Sequence, residues 1–166
     1  MFKKISVYDL KQNVFQEINK NWILITAKKP TGEINTMTAS WGAMGEIWNR
    51  EAVTVYIRQS RYTKEFVDAQ DFFTISLFDD HRAELSVLGQ KSGRDCDKIS
   101  EVGFHPVELD GQPGFEESKC VLICRKIYQN DMLLNELPKD VCTQYYADND
   151  YHTQYIGEII ACYEKV

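Results

Sequence analysis

Three stretches of this chain combine residue types that could do chemistry at close spacing. The first is Ile57-Arg58-Gln59-Ser60-Arg61-Tyr62-Thr63-Lys64, which reads as the end of a strand, a loop and the start of a helix. Such a junction gathers free backbone N–H groups, hydroxyls and two guanidinium groups, a set that suits a phosphate dianion and implies a phosphomonoester ligand. The same residues also fit a plain capped helix, with Ser60 or Thr63 accepting from the first N–H groups and the arginines in solvent. The second stretch, Asn35-Thr36-Met37-Thr38-Ala39-Ser40-Trp41-Gly42, is rich in small and hydroxyl residues and then breaks into Gly42-Ala43-Met44-Gly45. Small side chains leave backbone polar groups open to the edge of a planar heterocycle, while an aromatic neighbour covers its face. An edge strand with a bulge, its Trp anchored in the core, has the same composition. The third, Leu88 to Lys98, is a polar loop with cations at Lys91, Arg94 and Lys98, and it reads equally as a flap over an anion or as solvated surface.

The elements that must hold these stretches are mostly strands. Runs rich in β-branched and aromatic residues recur between turn signals at Trp22 to Lys28, Ile34 to Trp41, Ala52 to Arg58, Phe72 to Phe78, Lys119 to Gln129 and Tyr155 to Tyr163. Val53, Val55 and Ile57 alternate with Thr54 and Tyr56, the period of a strand buried on one face. Lys29-Pro30-Thr31-Gly32 is a turn that makes a hairpin of the first two runs. Helices are expected at Thr63 to Ala69 and at Arg82 to Leu88, where Leu85 and Leu88 share a face, with a further helical turn at Lys98 to Glu101. Gly103 to Gly114 reads as one short strand and a turn, and Pro138 to Asp150 as a short helix followed by a loop.

Length and composition narrow the function. A chain of 166 residues, 43% of them hydrophobic, buries one core comfortably, so one domain over 1–166 is expected. The N-terminal residues lack the apolar core of a secretion leader, and no run approaches the roughly 20 apolar residues of a membrane span. A net charge of −6 disfavours nucleic acid and anionic membranes as partners. The five cysteines, Cys96, Cys120, Cys124, Cys142 and Cys162, form no CxxC pair, which fits reduced thiols in a cytoplasm and no metal site. Cys120 and Cys124 on one strand would stand about 13 Å apart, too far for a mutual disulfide. No Walker or Rossmann glycine pattern and no Ser/His/Asp or Cys/His arrangement is present.

Taken in order, NTMTASWG, a strand ending in RQSRYTKEFV, DFFTISLF, GQKSGRDCDK and DYHTQYIGEI resemble the flavin-reductase-like, FMN-binding split-barrel family, flavoredoxin-like proteins included, over roughly residues 20 to 163. The resemblance implies a mainly β fold, an antiparallel Greek-key split barrel with a few short helices, and a homodimer with FMN at or near its interface. It implies that Met37, Thr38, Ala39, Ser40 and Trp41 lie along the isoalloxazine, that Arg58, Ser60, Arg61, Tyr62 and Thr63 grip the ribityl phosphate, and that Ser92, Gly93 and Arg94 approach the flavin. His152 matches a recurring histidine of the family, placed either on the substrate side of the flavin as a catalytic group or at the dimer interface. The implied activity is an oxidoreductase whose FMN accepts hydride or electrons from NAD(P)H or another donor and passes them to free flavin, a metal chelate or a redox partner protein. Arg94 is the expected stabiliser of the negative charge that reduction places on the flavin. A flavoredoxin-like electron carrier without a nicotinamide site is the alternative, and a barrel that has lost its flavin a third reading.

Overall fold

In the computed structural model, which describes residues 1–166, the expected strands join into one curled antiparallel sheet. The strands are β1 (Phe2–Ile5), β2 (Ile23–Lys28), β3 (Ile34–Ala39), β4 (Gly42–Ile47), β5 (Arg50–Arg58), β6 (Phe72–Leu77), β7 (Pro106–Leu109), β8 (Gln112–Phe115), β9 (Cys120–Asp131) and β10 (His152–Lys165). Across the sheet they run β3-β2-β6-β9-β10-β5-β4, with β1 added to β10, while β7 and β8 pair separately. This is an antiparallel Greek-key split barrel. Its two end strands, β3 and β4, are separated in sequence only by Ser40 and Trp41. Two linking residues span about 10 Å at most, so the sheet curls until its ends face each other across an unladdered seam.

The barrel is filled by alternate residues of its strands. Val53, Val55 and Ile57 of β5 enter a core shared with Ile23, Ile25 and Ala27 of β2 and with Phe73 and Ile75 of β6. Each such side chain contributes about 1.5–3 kcal/mol relative to exposure. β2 is buried on both faces: Leu24 points the other way, into a second cluster with Phe78, Leu85, Leu88, Ile99, Phe104 and Phe115. That cluster seats the helices α2 (Arg82–Gln90) and α3 (Lys98–Glu101) against the sheet. The other helices are α1 (Tyr62–Asp68), which follows β5, and α4 (Lys139–Tyr145). At Gly157 of β10, beside a register shift, an added Cβ would come within 2.6 Å of the Phe73 ring and 2.8 Å of Cys124 Cβ. Only a hydrogen fits where the sheet folds most tightly on its core.

Four expectations change. Gly42-Ala43-Met44-Gly45 is a strand rather than a break, because it pairs with β5 through a two-residue turn in which Trp48 and Asn49 both take φ 56°. Gly103 to Gly114 opens a hairpin of two strands, turned at Asp110 and Gly111 (φ 46° and 77°), rather than one strand. The N-terminal residues supply β1, an edge strand too short to show a period. His152 begins the last strand instead of preceding it. The Lys29 to Gly32 hairpin forms as expected, closed by Gly32 N–H donating to Lys29 O at 2.9 Å. All five cysteines are free thiols; Cys120, Cys124 and Cys162 are buried, and Cys120 Sγ lies 3.8 Å from Cys162 Sγ across β9 and β10. No helix is long and apolar enough to cross a membrane.

Candidate functional site

At the seam the sheet leaves two adjoining cavities. A polar one of about 360 Å³ is lined by Asn35, Met37, Arg58, Ser60, Arg61, Tyr62, Thr63, Gln90, Lys91, Ser92, Lys98, Asp148 and Asp150. The second, about 220 Å³, is lined by Met37, Thr38, Ala39, Ser40, Trp41, Tyr56, Arg58, Arg61, Tyr145 and His152. They share Met37, Arg58 and Arg61, so together they form one trough running from cations to aromatics.

The polar end rests on two cations, the buried Lys98 and the half-buried Arg61. Lys98 begins α3, after Asp97 has capped that helix by accepting from Ser100 N–H at 3.1 Å. Its Nζ donates to Leu88 O at 2.8 Å and Lys91 O at 3.0 Å, around the C-terminus of α2. Arg61 Nη1 donates to Gly89 O at 2.5 Å on that same terminus. Helix C-terminal carbonyls carry partial negative charge and suit cations, but they do not neutralise them. No carboxylate lies within ion-pair distance of either residue. Burial, with the Arg61 guanidinium nearby, pushes Lys98 down to about 8, and burial with Arg58 nearby lowers Arg61. Arg61 weakens the charged form of Lys98 and Arg58 that of Arg61, with Asp150 offsetting the latter in part, and three cations so gathered suit an anion between them.

Around them, side chains rather than a helix end make the cradle. α1 has only seven residues, and its cap, Arg61, makes no side-chain capping bond. The expected caps serve otherwise: Ser60 Oγ donates to Asp150 Oδ2 at 2.6 Å, and Thr63 Oγ1 accepts from Asn35 Nδ2 at 2.8 Å, tying α1 to β3. Arg58 donates to Asp150 O at 2.6 Å and Tyr145 O at 2.9 Å, so it holds the 145–150 segment over the trough.

The apolar end is set by the register of β10. His152 pairs with Arg58 of β5, and this places its ring 5.2 Å from Trp41, which also meets Tyr145 edge-on at 5.2 Å. His152 Nδ1 lies 2.8 Å from the Tyr146 hydroxyl, which leaves Nε2 without a protein partner. Burial, then Arg58, pushes His152 down to about 4, so the ring is neutral at neutral pH. Thr38 lines the trough while its hydroxyl donates to Leu85 O at 2.5 Å, locking α2 onto β3.

The structure therefore brings Met37, Thr38, Ala39, Ser40, Trp41, Arg58, Ser60, Arg61, Tyr62, Thr63, Ser92 and His152 to one trough. Gly93 and Arg94 lie outside it. Gly93 backs the cradle, where an added Cβ would collide with the Asn35 side chain and approach Tyr62 Cδ1 to 3.3 Å. Arg94 pairs with Glu65 at 2.5 Å, donates to Ser60 O at 3.2 Å and covers the Tyr62 ring, which leaves it bracing the loop from outside. Sequence reasoning assigned no role to Asn35, Lys98, Asp148, Asp150, Tyr56, Tyr145 or Tyr146. Asn35 and Lys98 stood inside quoted motifs; an unpaired lysine directly before a buried isoleucine was the available signal for Lys98.

Comparison with known proteins settles the family. The profile of the Flavin reductase like domain matches residues 15–165. The chain belongs to this family. No curated protein matches it in sequence. Among solved structures it is similar to an FMN-binding domain of a flavin reductases-like enzyme from Shewanella baltica (TM-score 0.71, 19% identity, covering 99% of this chain and 77% of that one). Flavoredoxin of Desulfovibrio vulgaris is similar at TM-score 0.70 and 20% identity, over 98% of this chain and 77% of that one. The styrene monooxygenase flavin reductase of Pseudomonas putida reaches 0.64 at 15%, over 86% and 77%. At these identities the likeness is one of fold, and it matches the split barrel described above.

His152 carries a pH signature. Its folded-state value of about 4 lies below the 6.5 of an exposed imidazole, so the unfolded chain takes up the proton first. Its contribution to stability is complete above pH 6.5 and is lost as pH falls from there toward 4. Urea unfolding over that range is expected to be less pH-dependent in His152→Gln than in the wild type, and an NMR midpoint for His152 at or above 6.5 would contradict the assignment.

Proposed function

We propose that this family member is an FMN-dependent oxidoreductase, with the phosphate of FMN in the polar cavity and the isoalloxazine along Met37 to Trp41. The observation that carries the reading is the pair Arg61 and Lys98, one half-buried and one buried cation facing the same polar cavity, each hydrogen-bonded to carbonyls and ion-paired with no carboxylate. A phosphomonoester dianion supplies the missing charge, and Thr63, Ser92 and Asn35 stand beside the cations with groups able to bond its oxygens. The order of residues along the trough, cations first and aromatics last, fits a ligand anionic at one end and planar at the other.

Bound there, FMN would supply hydride acceptance and electron transfer, chemistry no side chain of this chain provides. The protein's part is to seat, orient and shield. Backbone groups of β3 and the small side chains Ala39 and Ser40 admit a ring edge, while Trp41, Tyr56 and Tyr145 exclude water from its faces. His152, neutral and with Nε2 open, is placed to hydrogen-bond a substrate or the reacting edge of the ring without adding charge.

The donor in this reading is NADH or NADPH, and the molecule works as a homodimer in a reducing cytoplasm. Support for the dimer comes from a third cavity, about 680 Å³ and mostly apolar, which shares Ser40, Trp41 and Tyr56 with the trough and is flanked by Val14, Phe15 and Met44. Phe15 is 86% exposed at its rim, an apolar surface that a second copy would cover. The free thiols fit the compartment.

Three outcomes are expected. Arg61→Ala and Lys98→Met, checked for folding by circular dichroism, weaken FMN by about tenfold or more in fluorescence titrations and riboflavin by less than about twofold. Equal losses for both flavins would remove the phosphate from this cavity. Stopped-flow mixing of FMN-loaded protein with NADH or NADPH bleaches the flavin band promptly; if only a reduced protein partner bleaches it, the chain is an electron carrier instead. Sedimentation of the loaded protein gives a dimer that Phe15→Glu shifts toward monomer, whereas a wild-type monomer at all concentrations would rule the dimer out.

A further inference from the structure

Many of the polar cavity's donors already bond to the protein itself. Asp150 accepts from Ser60 N–H at 3.0 Å on Oδ1 and from Ser60 Oγ at 2.6 Å on Oδ2, and its Oδ2 lies 4.0 Å from Arg58 Nη1. A backbone N–H and a hydroxyl converging on two oxygens, with a guanidinium behind them, is a donor set suited to an oxyanion. Asp148 stands next to it, accepting from Asp150 N–H at 3.1 Å and lying 3.9 Å from Arg58. The cavity thus holds Arg58, Arg61, Lys91 and Lys98 against Asp148 and Asp150, with Asp150 on Ser60 and with no carboxylate ion-paired to the half-buried Arg61 or the buried Lys98.

We propose that Asp150 is an internal anion that competes with the ligand phosphate for Ser60 and sets the affinity of the site. This rests on the phosphate lying in the polar cavity, as argued above. A carboxylate left beside a bound dianion would repel it, and more so in a half-buried site of low effective dielectric, so full engagement requires Asp150 to leave Ser60. Its release is transmitted to the segment through Arg58, which faces the Asp150 carboxylate at 4.0 Å and also holds that segment by the carbonyls of Tyr145 and Asp150. The same segment carries Tyr145, packed on Trp41, and Tyr146, bonded to His152. Loading an anion at one end of the trough therefore loosens the aromatic wall at the other, and the ring pocket opens as the phosphate seats.

Two measurements test this. Asp150→Asn keeps the side chain's size and removes its charge, and it is expected to tighten FMN by about tenfold while leaving riboflavin within about twofold in fluorescence titrations. Unchanged or weaker FMN binding would overturn the proposal, since a residue that merely orients Ser60 and Arg58 would lower affinity when neutralised. Hydrogen exchange of the wild-type protein with inorganic phosphate alone provides the second readout: residues 145–151 exchange faster when phosphate is added, and unchanged or slower exchange there would equally overturn it. Failure of the underlying reading is distinguishable, because wild-type protein would then prefer FMN to riboflavin by no margin, whatever Asp150→Asn does.

Discussion

Two positive charges that no carboxylate pairs with directly, one buried and one half-buried, organise this molecule. Arg61 and Lys98 come from different elements, one from the end of the β5–α1 junction and the other from the start of α3, and both reach the C-terminus of α2. Holding them there costs solvation that carbonyl partners return only in part. The fold tolerates the cost because α2 and α3 are fastened to β2 by the Leu24, Phe78, Leu85 and Phe115 cluster, which has no other way to bury its surface.

The split in the barrel supplies the other half of the site. A closed barrel would have paired β3 with β4 and left no space between them. Here the two strands are joined by Ser40 and Trp41 but not laddered, so the seam exposes the backbone of β3 and a half-exposed indole to the same trough that the cations serve. Arg58 and His152, opposite each other on β5 and β10, then bridge the polar and aromatic ends. One consequence is that the groups expected to bind a ligand directly divide into two kinds. Arg58, Ser60, Arg61, Thr63 and Ser92 line the cavity, Arg58 and Ser60 while bonded to the 145–150 segment, whereas Arg94 braces the loop from outside it.

Much of this was legible in the chain. The β5 alternation, the Pro-Gly hairpin, α2's paired leucines and the ordered motifs determined the class of fold, because strand and helix periods are local and the burial of Val53, Val55 and Ile57 or of Leu85 and Leu88 follows from them. The junction Arg58 to Thr63 and the stretch Met37 to Trp41 stood out because unusual side chains lay where a strand had to end, but by themselves they also fitted a capped helix and an edge strand; the resemblance, not the residues, pointed them at one ligand, and the fold brings both to one trough. Trp48-Asn49 hid a hairpin because it forces φ above zero without the glycine that usually announces it. What only the tertiary structure decided is which polar group meets which. Lys98 joins Arg61, Asp150 occupies Ser60, and Arg94 turns to Glu65 through contacts spanning tens of residues, and electrostatic partners at that range depend on how helices and strands pack rather than on any pattern along the chain.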